Sequence, residues 1–294
     1  KQMKIVGPPA AREHRGPQPT ASVLFDVGGT KTRVAISSAL ETLDRTKIIP
    51  TPADPLIGIR MLGEFAEELA QGKAIRGVVG GVAGGLNRQR SRLLFGENIS
   101  QWVGVPLRQR LAARLKAPVC LENDAALAGL GEAVYGAARG KKIVAYLTVS
   151  TGVGGCRIVD GKIDANALGF EPGYQIIDAS HGLQPEFRSR RLGGYLSGSA
   201  LLAHWGKRPE EITDSRLQDT LAEWLSVGLA NTIVFWSPDI VVMGGSVMKI
   251  IPFDRLRYHL VANLKPYVEP PPLVRAKLND TNGLWGALAL ARQM

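Results

Sequence analysis

The sequence predicts an α/β protein in which one architecture occurs twice. Strand-like and helix-like segments alternate along the chain, which is typical of α/β folds. Each half also contains a strand, a turn rich in glycine and threonine, and a second strand, over residues 21–37 and 142–159. If the two halves face each other, their turns lie on opposite sides of one cleft, the kind of place where small ligands bind.

Hydrophobic spacing predicts the remaining elements in chain order. Helices are expected where apolar residues recur every three or four positions, and strands where short apolar runs end at glycine or proline. In the first half these are a helix over 59–70, a strand over 76–83, a helix over 107–115, a strand over 117–121 and a helix over 125–135. In the second half, after strands over 142–149 and 156–159, they are a loop-rich stretch over 160–198, a helix over 217–235, a strand over 239–243 and a helix over 283–291.

Length and composition indicate a globular protein of about two domains. The chain has 294 residues, of which 45% are hydrophobic and 21% charged. Residues 1–20 are polar and rich in proline, so we expect a flexible extension and not a signal peptide. Because no apolar run approaches the roughly 20 residues that span a bilayer, a cytoplasmic protein without membrane contact is expected. The two cysteines, Cys120 and Cys156, lie in apolar contexts and are expected to be buried free thiols.

The chain is basic, with a net charge of +10 and arginines clustered at 88–92 and 188–191. Such a balance is compatible with a polyanion partner, a pocket for phosphorylated substrates or a generic basic surface. No aromatic side chains are interleaved with these clusters, so nucleic acid is not an expected partner.

The first turn, over residues 26–31, has the composition of a phosphate-holding hairpin. Gly28 and Gly29 permit positive φ and expose backbone N–H groups that can approach a phosphate. Thr30 and Lys31 add a hydroxyl and a cation, and Asp26 offers a carboxylate toward magnesium, through water. The spacing differs from that of the Walker loop. An ordinary Gly-Gly hairpin is the alternative.

Two further glycine segments repeat this chemistry. In the second turn, Thr151, Gly152 and Gly154 again offer a hydroxyl and accessible amides. Gly244 and Gly245 follow a predicted strand and allow the backbone to approach a flat or phosphorylated group. A plain hairpin and a plain strand-to-helix turn are the respective alternatives.

Asp124 follows a predicted strand and begins a predicted helix. The helix dipole favours a charged carboxylate there, so we expect it to be ionised at neutral pH. With Asn123 beside it to orient a hydroxyl, Asp124 is a candidate general base for a sugar hydroxyl. A simple N-cap aspartate is the alternative. Glu171, in a loop between turn residues, either binds a ligand or is solvated.

Four motifs together resemble those of the ROK-family sugar kinases, which are bacterial glucokinase-like proteins. The resemblance covers residues 21–294 and implies a duplicated ribonuclease-H-like fold of the actin/hexokinase type, with two domains and a central cleft. The smaller domain would contain 21–123 and 281–294, and the larger 124–280. The motifs, in order, are Asp-Val-Gly-Gly-Thr-Lys at 26–31, Glu-Asn-Asp at 122–124, Thr-Val-Ser-Thr-Gly-Val-Gly-Gly at 148–155 and Pro-Asp-Ile-Val-Val-Met-Gly-Gly-Ser at 238–246.

The resemblance implies a kinase that uses ATP and Mg²⁺ to phosphorylate the 6-hydroxyl of a hexose, glucose by default, with a homodimer as the expected assembly. It assigns the catalytic base to Asp124. The implied sugar-binding residues are Gly84, Gly85, Asn98, Asn123, Glu171 and Tyr174. The implied residues at the phosphates, at the water-held magnesium and beside the adenosine are Asp26, Gly28, Gly29, Thr30, Lys31, Thr151, Gly152, Gly154, Gly244 and Gly245.

The chain departs from the family pattern at three places. Tyr174 stands where many members have a histidine, and Gly193 where they have a second sugar-binding glutamate. Residues 179–197 lack the family's cysteines, so no structural zinc is expected. Polyphosphate-using members also lack them, which leaves polyphosphate open as the phosphoryl donor.

Two other functions stay open at this point. One is a sugar-binding protein that has lost catalysis, because two sugar contacts have changed. The other is a sugar-responsive regulator, for which residues 1–20 are too short and too rich in proline to form a helix-turn-helix.

Overall fold

The computed structural model describes residues 19–294, so the expected flexible extension lies almost entirely outside the described residues. Within them, the strands are β1 (Thr20–Val27), β2 (Lys31–Ser37), β3 (Arg45–Pro50), β4 (Ala74–Val82), β5 (Gly85–Leu86), β6 (Leu93–Phe95), β7 (Val119–Asn123), β8 (Ile143–Val149), β9 (Val153–Val159), β10 (Lys162–Ile163), β11 (Ile240–Gly244) and β12 (Leu273–Arg275). The α-helices are α1 (Pro55–Ala70), α2 (Leu107–Leu115), α3 (Asp124–Val134), α4 (Leu192–Leu196), α5 (Gly198–Trp205), α6 (Ser215–Trp236), α7 (Phe253–Leu264) and α8 (Asn282–Gln293).

Two five-stranded sheets share one topology, which confirms the predicted duplication. The first has the order β3-β2-β1-β4-β7, and the second has the order β10-β9-β8-β11-β12. In each sheet the first strand of a hairpin pairs antiparallel with the second, as β1 does with β2 and β8 with β9. On its other side the same strand pairs parallel with the next strand of the sheet, which in turn pairs parallel with the last. We call the first sheet with α1, α2 and the β5–β6 hairpin the first lobe. The second sheet with α4, α6 and α7 is the second lobe.

Helices α3 and α8 pack against each other between the sheets. Leu127 of α3 lies with residues of the first sheet, whereas Leu130 lies with residues of the second. The helices approach so closely that a Cβ atom at Gly131 would lie 2.4 Å from the Asn282 carbonyl oxygen. The first turn of α3, which carries Asp124, is therefore held at the junction of the two lobes.

The predicted elements occur in the predicted order, with some corrections. Strand β9 begins at Val153, so Gly154 lies in a strand and not in a turn. The stretch over 160–198 contains α4 and the short strand β10. Elements β3, β5, β6, β12, α5 and α7 were not predicted. Of the two thiols, both free, Cys156 is buried as expected, but Cys120 is only partly buried.

Within residues 19–294, no helix combines the length and apolar character needed to cross a membrane.

Candidate active site

A cleft of about 1170 Å³ is lined by residues from both lobes and from α3. Sites for a single small ligand are about 300–1,000 Å³, so this volume can hold two ligands side by side. Gly85 is the one predicted site residue that does not line the cleft, because it is buried in β5 against the Phe95 ring. The others all line it: Asp26, Gly28, Gly29, Thr30, Lys31, Gly84, Asn98, Asn123, Asp124, Thr151, Gly152, Gly154, Glu171, Tyr174, Gly244 and Gly245.

Asp124 is the first residue of α3, and Asn123 is its N-cap. The Asn123 side-chain oxygen accepts a hydrogen bond from the Ala126 amide at 3.0 Å, and its Nδ2 donates to the Gly84 carbonyl at 3.0 Å. Because Asn123 caps the helix, Asp124 is not needed for that role. One Asp124 oxygen accepts from the Ala125 amide at 2.8 Å. Its other oxygen makes no hydrogen bond within residues 19–294 and is available to a ligand.

Three carboxyl groups in the cleft have raised pKa values. Removal from water, with the nearby charge of Asp26, raises the pKa of Asp124 to about 7. Burial raises the pKa of Glu171 to about 7, and burial raises that of Asp26 to about 6 against the opposing effect of Arg33. Burial therefore opposes the ionisation that was expected at the start of the helix, and with a pKa of about 7 the Asp124 carboxyl group is only partly ionised at neutral pH. A pKa near the working pH suits a general base.

The first glycine turn is tight, but not for the expected reason. Neither Gly28 nor Gly29 is among the glycines with positive φ. Instead, a Cβ atom at Gly29 would lie 2.7 Å from the Asn98 Cβ, closer than real side chains come. The turn closes through the Gly28 amide, which donates to the Lys31 carbonyl at 3.0 Å. Glycine is required at position 29 because another part of the cleft wall comes so close.

Asn98 also lies near the second turn, since a Cβ atom at Gly152 would be 3.7 Å from its Nδ2. Asn98 therefore lies between the two turns. The second turn is supported by the start of α5, where the Gly198 amide donates to the Ser150 carbonyl at 2.6 Å. Ser199 follows it and lines the cleft as well. This helix start was not predicted.

Two further charged residues, Arg33 and Asp280, form ion pairs with residues of the first turn. The Arg33 Nη1 atom donates to Asp26 at 3.0 Å, and the Lys31 Nζ atom lies 3.2 Å from Asp280. The Lys31 pair is more than half exposed, so it is weak and a phosphate group can replace the carboxylate. A charged residue in the buried strand β2 was the sequence signal for Arg33. Asp280 had no such signal.

Tyr174 and Phe95 line the cleft in contact with each other. Their rings meet edge to face with centroids 5.7 Å apart, and the Tyr174 hydroxyl lies 3.4 Å from a Glu97 oxygen. From the second basic cluster, the Arg191 guanidinium lies 4.5 Å from the Tyr174 ring centroid. At Gly193, a Cβ atom would lie 3.2 Å from the Gly173 carbonyl oxygen. The sequence did not single out Phe95 or Glu97, both of which line the cleft.

Gly244 and Gly245 line the cleft where β11 of the second lobe ends. Gly245 has a φ of +97°, and a Cβ atom there would lie 2.2 Å from the Val149 carbonyl oxygen, so only glycine fits. Leu202 and Met248 also line the cleft and add apolar side chains to it. A flat, partly apolar group could lie against it.

The segment that lacks the family's cysteines is held by Asp178 and by aromatic packing. Asp178 is buried, and it accepts hydrogen bonds from the Gly182 amide at 2.8 Å and the Tyr195 hydroxyl at 2.5 Å. Phe187 stacks on the His204 ring with centroids 3.4 Å apart. Across the described residues 19–294, no group of three or more His, Cys, Asp or Glu side chains could hold a metal ion.

Comparisons with known proteins agree with this geometry. The sequence model of the ROK family matches residues 23–294. The chain is 28% identical to a glucokinase of Streptomyces coelicolor, covering 91% of this chain and 96% of the relative. It is 30% identical to an N-acetyl-D-glucosamine kinase of Escherichia fergusonii, covering 90% and 97%. The structure of a ROK family glucokinase from Streptomyces griseus, in complex with glucose and AMPPNP, has a TM-score of 0.77, 25% identity and coverage of 93% and 100%.

Proposed function

Because this chain belongs to the ROK family, we propose that it is a sugar kinase that transfers the γ-phosphate of ATP to the 6-hydroxyl of a hexose. The observation that carries the proposal is the position of Asp124. Its carboxyl group, with a pKa of about 7, lines the same cleft as two glycine turns from opposite lobes. The cleft is large enough for a sugar and a nucleotide together.

Asp124 is the proposed general base. The Asp124 oxygen that makes no hydrogen bond accepts the proton of the sugar hydroxyl. The hydroxyl oxygen attacks the γ-phosphorus at the same time, and the bond from the γ-phosphorus to the ADP oxygen breaks. The hydrogen bond from the Ala125 amide fixes the carboxyl group in one orientation. Most of the catalysis comes from alignment and charge stabilisation, because phosphoryl transfer needs little other help from the protein.

The two turns are the proposed phosphate sites. Residues 28–31 supply backbone amides and the Lys31 cation, and residues 151–154 approach from the second lobe. Mg²⁺ fits this site as an ion held mainly by phosphates and water, since Asp26 is a hard oxygen donor beside the turn. When bound, the ion neutralises charge on the transferring phosphate. Gly244 and Gly245 are proposed to lie beside the adenosine.

Glucose is the proposed sugar, with Asn98, Asn123, Glu171 and Tyr174 around it. Asn123 already uses its side chain to cap α3 and to hold the Gly84 carbonyl, so it keeps one N–H and one lone pair for a hydroxyl. Glu171, with a pKa of about 7, can accept or donate a hydrogen bond near neutral pH.

The protein is proposed to close on its ligands by movement of two domains. The smaller domain contains residues 21–123 and 281–294, and the larger contains residues 124–280. The boundaries fall at the start of α3 and next to the start of α8. Closure around these helices would exclude water from the γ-phosphate and limit hydrolysis.

The experiment is phosphate transfer to glucose, mannose, N-acetylglucosamine, N-acetylmannosamine and fructose, each with ATP and with polyphosphate, and with products identified by mass. The proposal predicts a hexose phosphate that forms from glucose and ATP in the presence of Mg²⁺. Transfer to another sugar, or from polyphosphate alone, would overturn the proposed substrate or donor. Binding of sugar without transfer from either donor would favour the binding-only alternative.

A further inference from the structure

We propose that Arg90 is a positioning residue that ties the two lobes together behind the catalytic aspartate. Its kinetic test depends on the proposed function, but its structural test does not. The residue lies in the first basic cluster, residues 88–92, at the tip of the β5–β6 hairpin.

The Arg90 guanidinium binds one partner in each lobe. Its Nη1 atom donates to the Glu122 carboxylate at 2.5 Å, and its Nη2 atom donates to the Asn166 side-chain oxygen at 2.7 Å. Glu122 lies near the end of β7, immediately before Asn123, which ends the strand, and Asp124. Asn166 belongs to the loop that leads from β10 to Glu171. One side chain thus connects the two segments that carry the proposed base and a proposed sugar ligand.

Hydrogen bonds within the hairpin tip fix the backbone from which the Arg90 side chain extends. The Asn87 side-chain oxygen accepts a hydrogen bond from the Ser91 amide at 2.8 Å, and the Arg90 amide donates to the Asn87 carbonyl at 2.8 Å. Arg90 itself has a φ of +50°, in the left-handed region that arginine rarely adopts. An unfavourable backbone conformation persists where the surrounding contacts determine it, often for a function.

The pair is largely withdrawn from water. The side chains of Arg90 and Glu122 are 22% and 12% exposed, whereas Arg88 and Arg92 of the same cluster are exposed. Burial raises the pKa of Glu122 and the Arg90 charge opposes this rise. Removing one member of such a pair leaves the other charge poorly solvated. Lysine cannot replace Arg90 fully, because it lacks the planar fork that reaches two acceptors at once.

The hairpin is tied at both ends to the same strand terminus. At its base the Gly84 carbonyl accepts from Asn123, and at its tip Arg90 binds Glu122. Near its base the hairpin also contributes Phe95, which lines the cleft and contacts Tyr174. Loss of Arg90 should therefore increase the mobility of the proposed sugar-binding residues and of Asp124. The proposed nucleotide-binding residues should be unaffected.

The variant Arg90→Asn removes the guanidinium but keeps a residue that tolerates positive φ. Arg90→Lys and Asn166→Ala remove one arm of the connection each, and the exposed Arg88→Asn is the matched control. We expect Arg90→Asn to raise the sugar KM and lower kcat, each by about tenfold or more, with the ATP KM within about twofold. Asn166→Ala and Arg90→Lys should fall between it and wild type. Arg88→Asn should match wild type.

Hydrogen exchange provides a test that does not need activity. In Arg90→Asn, amides over residues 164–171 should exchange faster than in wild type and in Arg88→Asn, because the loop has lost its contact with the first lobe. If wild type transfers no phosphate but this exchange difference is found, the proposed function fails and the connection stands. Unchanged exchange over 164–171, or a sugar KM and kcat equal to wild type, would overturn the proposal. So would an equal loss of sugar and ATP affinity. If Arg90→Asn does not fold, Asn166→Ala decides by the same two measurements.

Discussion

Replacing Asp124 by asparagine should abolish most of the activity and stabilise the protein. Asparagine retains an oxygen to accept the 2.8 Å hydrogen bond from the Ala125 amide, so the first turn of α3 keeps its geometry. It cannot accept the proton of a sugar hydroxyl. Loss of a general base costs about 10²–10⁴-fold, and we expect kcat to fall by this factor with the ATP KM unchanged.

The gain in stability follows from the raised pKa. Folding shifts the pKa of Asp124 from 3.8 to about 7, so the ionised form is disfavoured in the folded protein. Wild type loses stability as the pH rises from about 4 to about 7, and the asparagine variant does not. At pH 8 the free energy of unfolding of the variant should exceed that of wild type by up to about 4 kcal/mol. The difference should be smaller than this limit, because part of the Asp124 carboxyl group faces the cleft and is in contact with water. Below pH 4 the difference should vanish.

The assay combines steady-state kinetics with thermal unfolding at several pH values. For wild type, kcat/KM for the sugar should fall as the pH drops below about 7, because only the ionised carboxylate accepts a proton. A variant with kcat within about tenfold of wild type would refute the role of the base. A variant no more stable than wild type at pH 8 would refute the proposed electrostatics.

Three other variants test further parts of the account. Gly29→Ala places a Cβ 2.7 Å from the Asn98 Cβ, so the ATP KM should rise by about tenfold or more in a kinase assay; Gly77→Ala, whose Cβ would meet nothing, is the control. Asp178→Ala removes the acceptor of a backbone amide at 2.8 Å and of a tyrosine hydroxyl, so Tm should fall by several degrees, with or without a chelator; an unchanged Tm would contradict the role of this carboxylate. Glu132→Gln replaces a buried carboxylate that accepts hydrogen bonds from three backbone amides at 2.8–3.0 Å. Urea unfolding should show a free energy of unfolding lower by about 1–3 kcal/mol, and an unchanged value would contradict a stabilising role for this carboxylate.

Elements whose pattern is local were predictable from the sequence. Helix α2 has leucines at 107, 111 and 115, one face of a helix, and its predicted bounds agree with the structure. Helix α7 has the same leucine spacing at 256, 260 and 264 and was nevertheless not predicted. Strand β3 is a half-exposed edge strand that ends in proline, so its apolar signal is weak.

Within the site, residue types and motif order predicted which side chains line the cleft, but not their electrostatic state. The raised pKa of Asp124 comes first from burial and then from the nearby charge of Asp26, and only the folded chain supplies either. The need for glycine at position 29 likewise depends on Asn98, far along the sequence. Gly85 has the same local appearance as Gly84, yet it faces the Phe95 ring and not the cleft. Contacts between distant segments leave no periodic signal in the sequence.

The most direct test of the central claim is a crystal structure with glucose and a non-hydrolysable ATP analogue. The account predicts the sugar 6-hydroxyl oxygen about 2.6–3.2 Å from an Asp124 oxygen and in line with the γ-phosphorus. It also predicts phosphates against residues 28–31 and 151–154. A sugar bound elsewhere, or a 6-hydroxyl held by another side chain while Asp124 faces away, would contradict the account.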